Sequence, residues 1–207
     1  MAISTFSELK TAVANWLNRS DLTDRIPEFI ALAEARMNRD DRLRTVDCIS
    51  RGTLSVSSQF TALPSDFARM VNLEYQGDTV GVMEPLTPQQ MDSVRAGDPT
   101  GNPLYYCVVN SELEVLPVQS EAVTLGITYY ARIASLSDAT SSNWLLAAAP
   151  DIYLYATLAE SAPFLHEDER LAVWESKYNQ LCDAYKVSSE GDQAGGAPLV
   201  MRGEAFY

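Results

Sequence analysis

The chain reads as an α+β protein: helices from its two ends form a four-helix bundle, an antiparallel β lobe is inserted between them, and an extended tail follows. Three observations predict this. Apolar residues recur at spacings of three and four near both ends, short β-type runs broken by turn residues fill the middle, and the last twenty residues shift to Ser, Gly and Ala. The expected boundaries are residues 1–44 with 141–187 for the bundle, 45–140 for the lobe and 188–207 for a flexible C-terminal arm.

Residues 5 to 18 place Phe6, Leu9, Val13, Trp16 and Leu17 on one helical face, with Thr5 or Ser7 available as N-cap. A second amphipathic helix follows the turn Arg19-Ser20-Asp21, carrying Ile26, Phe29, Ile30, Ala33 and Met37. Its Pro27 falls in the first turn, where an amide is expendable. From Thr45 the runs Val46–Val56, Met70–Tyr75, Thr79–Met83, Leu104–Val109, Glu112–Leu116 and Val123–Ala131 read as strands. Gln76-Gly77-Asp78 and Asn110-Ser111 suit hairpin turns, and Thr87-Pro88-Gln89-Gln90 suits the capped start of a short helix. The segment Ile152-Tyr153-Leu154-Tyr155-Ala156-Thr157-Leu158-Ala159 is apolar almost all round, so a helix there expects burial on every side. A last helix, about 167 to 186, aligns Leu171, Trp174, Tyr178, Leu181 and Tyr185 in a narrow seam, with Glu167, Asp168 and Glu169 suited to its N-terminus.

The totals exclude several classes. An apolar share of 46% with 21% charged residues describes an ordinary soluble globule. A net charge of −13 argues against gripping nucleic acid, because phosphate affinity comes from neutralising cations. Residues 45 to 140 hold eleven acids against Arg51, Arg69, Arg95 and Arg132, so the lobe is acidic. No signal peptide is readable from Met1 to Phe6, and Trp144 to Ala149 is too short to span a bilayer. Cys48, Cys107 and Cys182 read as buried reduced thiols of a protein made in the cytoplasm.

No catalytic constellation emerges. His166 is the single histidine and has neither a nucleophile elbow nor a Cys/His signature beside it, which leaves a hydrolase reading unsupported and a cap or surface role in its place. Glu167-Asp168-Glu169 lacks spaced partner ligands for a metal. Glu112 and Glu114 alternate onto one strand face, which reads as a solvated acidic face. No P-loop, paired CxxC, HExxH or dinucleotide fingerprint occurs, and neither an enzyme nor a cofactor is expected. Arg36, Arg39, Arg42 and Arg44 form the one basic cluster. It either complements the helix end and pairs with Asp40 and Asp41, or presents a basic edge to the acidic lobe of a neighbouring copy. After Gly191, Gly195 and Gly196, the terminal residues Pro198, Leu199, Val200, Met201, Arg202, Phe206 and Tyr207 look like an anchor on a tether.

The succession Tyr129-Tyr130-Ala131-Arg132, Leu136-Ser137-Asp138, Asn143-Trp144-Leu145-Leu146, Ala149-Pro150-Asp151 and Ala162-Pro163-Phe164-Leu165 resembles the C-terminal half of the head-to-tail adaptor (connector) proteins of tailed bacteriophages, relatives of the tail-tubular-protein-A type. The resemblance covers about residues 125 to 186, and the helical start more loosely. It implies a virion structural protein of the neck between capsid and tail, a homo-oligomeric ring with the portal's twelvefold symmetry. Such a ring binds the portal through the arm, meets the next tail or nozzle protein below, and lets double-stranded DNA pass without specific binding and without a membrane. On this view Arg36, Arg39, Arg42 and Arg44 serve the subunit interface, and Glu112 and Glu114 face the channel. A soluble assembly chaperone or scaffold-type binding protein using the same bundle is the alternative.

Overall fold

A computed structural model describes residues 3–19, 21–77, 80–119, 121–165 and 168–193 of the chain. In order, the elements are α1 (Phe6–Leu17), α2 (Ile26–Met37), β1 (Ile49–Val56), β2 (Phe60–Ala62), β3 (Phe67–Gln76), β4 (Val80–Val82), β5 (Glu84–Pro85), α3 (Pro88–Ala96), β6 (Tyr105–Val109), β7 (Glu112–Leu116), β8 (Val123–Ala131), α4 (Trp144–Ala148), α5 (Pro150–Leu165) and α6 (Asp168–Gln193). The α+β class is as expected. The chain divides into two compact units: one takes the described residues up to Cys48 and from Ile133 onward, the other is Ile49–Arg132.

The helical unit is organised around α5. Its Ile152, Tyr153, Leu154, Ala156, Thr157, Leu158, Ala159, Ser161 and Ala162 are all buried, as a helix without a polar face requires. The one-sided helices α1 and α2 and the longer α6 pack against it through Leu9, Val13, Ile30, Ala33, Trp174 and Tyr178. Thr157 and Ser161 meet this burial by donating their hydroxyls to the carbonyls of Tyr153 and Leu158, both at 2.8 Å. The expected start of α1 is present as a reciprocal cap: Thr5 Oγ1 accepts from the Glu8 N–H, and the Glu8 carboxylate accepts from the Thr5 N–H.

The β unit is a sandwich with a helix on one side. One sheet has strand order β1-β8-β3-β4, the other β2-β7-β6-β5. Leu73, Leu125, Ile127 and Tyr129 of the first meet Tyr106, Leu113 and Val115 of the second in one core. α3 covers the far side of the second sheet, Met91 packing on Cys107 and Leu116. Thr87 caps α3 in a second capping box with Gln90. The β6–β7 turn has Asn110 and Ser111 at φ 50° and 66°, the double left-handed conformation that matches the twist of a two-residue hairpin. The other expected hairpin, Gln76-Gly77-Asp78, lies partly outside the described residues.

The structure differs from the sequence expectation in several places. The first strand begins at Ile49, because Val46–Cys48 forms a 3-10 turn in which the Cys48 thiol donates to the Thr45 carbonyl at 3.1 Å. α4 was not expected; Asn143 starts it by accepting from the Leu146 N–H at 2.9 Å. α6 runs past the expected end near 186 to Gln193, with Ser189 buried and Lys186 paired to Glu190 at 3.7 Å, so residues 188–193 are helix and not the start of an arm. β5 and β6 pair in parallel inside a lobe expected to be antiparallel throughout. Cys48, Cys107 and Cys182 are free and buried, as expected.

Candidate interaction surfaces

Among the four arginines singled out, two tie elements of the helical unit together. Arg36, from the last turn of α2, reaches across to Glu175 of α6 with two hydrogen bonds of 2.7 and 2.6 Å, and to Glu160 of α5 at 3.5 Å. Its guanidinium lies 4.4 Å from the centre of the Tyr178 ring, a cation–π contact as well as a bidentate ion pair. Arg42 binds Asp40 at 2.6 Å, Asn179 at 2.9 Å and Asp183 at 3.2 Å. Tyr178 adds its own hydroxyl, donated to Asp40 at 3.0 Å. Burial pushes the Asp40 carboxyl up, but the hydrogen bonds from Arg42 and Tyr178 outweigh it and hold it below its ordinary value. Glu175 is likewise held low, chiefly by Arg36. Arg44 pairs with Asp41. Arg39 is exposed and its side chain has no partner among the described residues. The intramolecular reading of the cluster thus describes Arg36, Arg42 and Arg44, and not Arg39.

Sequence reasoning passed over Glu34, a residue only 3% exposed. The signal was present, since Glu34 falls on the same helical face as Ile30 and Met37. It accepts the Leu136 N–H at 2.8 Å and the Tyr153 hydroxyl at 3.3 Å. Asn38, one turn on, accepts the Ile133 N–H at 2.8 Å and donates to the Ile133 carbonyl at 3.3 Å. Asn143 donates to the Ala134 carbonyl at 2.7 Å. These side chains replace a strand partner for residues 133–136, where the chain returns to the helical unit.

Burial raises the Glu34 pKa above its ordinary 4.5, against the opposing pull of Leu136, Ser135 and Tyr153. The folded protein therefore holds this proton to higher pH than the unfolded chain does. The residue is most favourable to folding below pH 4.5 and becomes less so as pH rises through the folded value. Glu34→Gln keeps an acceptor for Leu136 and Tyr153 and removes the charge. It is expected to raise stability at pH 7 and to flatten the decline in stability above pH 4.5. A midpoint at pH 7 below that of the parent protein would show the ionised carboxylate to be the stabilising species.

Glu112 and Glu114 part company in the fold. Glu112 is exposed at the β6–β7 turn. Glu114 is 6% exposed and accepts from Gln59 at 2.8 Å and from Arg95 of α3. The expectation of a solvated acidic face fails at Glu114 because α3 lies over that side of its sheet. His166, Glu167 and the arm residues Pro198, Leu199, Val200, Met201, Arg202, Phe206 and Tyr207 lie outside the described residues; Asp168 opens α6. Among the described residues there is no group of three or more His, Cys, Asp or Glu placed to hold a metal ion, and no helix is long and apolar enough to cross a membrane. What the described residues offer is side-chain networks inside each unit and exposed surface on both.

No curated protein matches the chain. The model of the SU10 adaptor protein family matches residues 4–202, taking in all the described elements, and the chain belongs to that family of phage adaptor proteins.

Proposed function

We propose that the protein is a head-to-tail adaptor: a ring of identical chains in the virion neck, twelve to match the portal, that joins the portal to the next tail or nozzle protein and surrounds the path of the DNA. The observation that carries this reading is the family match over nearly the whole length, since it includes both units and most of the terminal arm. The helical unit suits a load-bearing part. Its helices are cross-linked by Arg36, Arg42 and Tyr178 around a fully buried α5.

Within that reading, Arg39 is the basic residue available to a neighbouring copy, and Glu112 is an exposed acid available to the channel wall. A carboxylate there disfavours tight phosphate contact over about 8 Å, the screening length in physiological salt. Ring closure requires a heterologous interface in which two different surfaces of the chain meet. Symmetry-averaged imaging of the neck is expected to show one adaptor per portal subunit with Glu112 towards the lumen. Scattered copies without ring symmetry would exclude the ring, and Glu112 on the outer wall would exclude its channel role.

A further inference from the structure

α2 is apolar on both of its sides, and only one of them is covered among the described residues. The helix buries Ile26, Phe29, Ile30, Ala33, Glu34 and Met37. On its other side, within an arc of about 100° at 3.6 residues per turn, lie Glu28, Ala31, Leu32, Ala35 and Arg39, all exposed. Between the two charged ends this arc carries no polar side chain. Leu32 is 53% exposed. One turn before it, the Phe29 ring meets that of Phe164 of α5 at 5.6 Å, and Phe164 is itself 54% exposed. A surface helix ordinarily turns polar residues outward, so a helix apolar on both sides expects cover on both.

The charges at the two ends of the arc say what cover fits. Glu28 stands at the N-terminal end and Arg39 three turns on, past the C-terminal end. Arg39 has no partner among the described residues. Glu28 pairs with Arg25 at 2.9 Å, but the two side chains are 60% and 55% exposed, so the pair is weak and open to a second cation. A second α2 laid antiparallel, centred between positions 33 and 34, sets Glu28 against Arg39 of the second copy and Leu32 against Ala35 of the second copy. The twofold axis repeats both contacts, so opposite charges meet at each end and a large side chain meets a small one between them. The helix dipoles also oppose each other favourably. A parallel arrangement would instead set Glu28 on Glu28 and Arg39 on Arg39.

We infer that the free protein pairs with a second copy of itself through α2, the two helices antiparallel, with Leu32 and Ala35 at the centre and the Glu28 and Arg39 pairs at the rim. Such a pair is isologous, whereas a closed ring needs a heterologous contact. The inference therefore does not rest on the ring reading, and failure of either leaves the other standing. Contact through one short helix falls below the ~1,200 Å² of a stable complex, so the expected Kd is on the order of 0.1 mM.

The test is sedimentation of the full-length protein from micromolar to millimolar concentration, with circular dichroism of each variant as the check on folding. The parent protein is expected to pass from monomer to dimer over this range, and Leu32→Asp, which sets a charge at the centre of the contact, to remain monomeric. Arg39→Glu and Glu28→Lys each turn two attractions into two repulsions, and each is expected to weaken the dimer roughly tenfold. The double variant carrying both changes has its charges reversed but again complementary, and is expected to return to within about threefold of the parent. That recovery is particular to α2 meeting α2, since a contact of α2 with any other surface loses one charge pair in the double variant as well. A parent protein that stays monomeric at millimolar concentration overturns the inference. So does self-association of any order that Leu32→Asp leaves intact or that the double variant does not recover.

Discussion

Tyr178→Ala is expected to lower the free energy of unfolding by ~3–5 kcal/mol, the range for deleting a large aromatic side chain from a packed interior. Tyr178 is fully buried on α6, and other interactions depend on its ring or hydroxyl. Arg36 stacks on the ring at 4.4 Å, Arg42 stands 5.7 Å from its centre, and the hydroxyl donates to Asp40 at 3.0 Å. Truncation opens a cavity and at the same time removes the surface on which two guanidiniums are held beside Glu175, Asp40 and Asp183. Tyr178→Phe retains the ring and both stacks and removes the hydroxyl's bond to the charged Asp40, with its contact to the Cys182 thiol, so it is expected to cost about 1.5–3 kcal/mol. The comparison is made by urea unfolding at constant slope, where a change in midpoint reports stability alone. If the alanine variant lost no more than the phenylalanine variant, the ring would not be the centre of this network.

The elements legible in the sequence were those whose cause is local. Thr5 and Thr87 announce helix starts because the cap and its reciprocal partner lie three residues apart. Asn110-Ser111 announces a hairpin because both residues must adopt positive φ, and α5 announces its burial because it has no polar face. What stayed illegible is set by residues far apart in the chain. The alternation of Glu112 and Glu114 is a true strand pattern, but whether that face is wet depends on α3 arriving over it, with Arg95 nineteen residues before Glu114. The basic cluster was visible as charge, yet Arg36 finds Glu175 at a separation of 139 residues, and no spacing rule reaches so far. Short β2 and β5 exist only through their partners β7 and β6, since three and two residues carry no period of their own.

Removing residues 194–207 is expected to leave the soluble protein folded and to abolish its retention on DNA-filled heads. The cut belongs after Gln193 rather than at 187, because α6 continues to Gln193 and buries Ser189 on the way. On the reading of this segment, from its composition, as a tether, thermal unfolding of the truncated chain should match that of the full chain within about 1 °C. The function proposed for the missing segment rests on its composition. Leu199, Val200, Met201, Phe206 and Tyr207 follow Gly195 and Gly196. Each apolar side chain, if buried in grooves of the portal, would contribute about 1.5–3 kcal/mol before ordering costs. Those costs reduce the net affinity of a single arm to a modest value, whereas copies repeated around a ring dissociate only when many arms release together. Loss of the arm should thus act on assembly far more strongly than on one subunit's binding. The measurement is the amount of adaptor that co-sediments with filled heads and the infectivity they yield after tails are added. Normal retention by the truncated protein would show that portal attachment resides in the helical unit or the β unit and not in the arm.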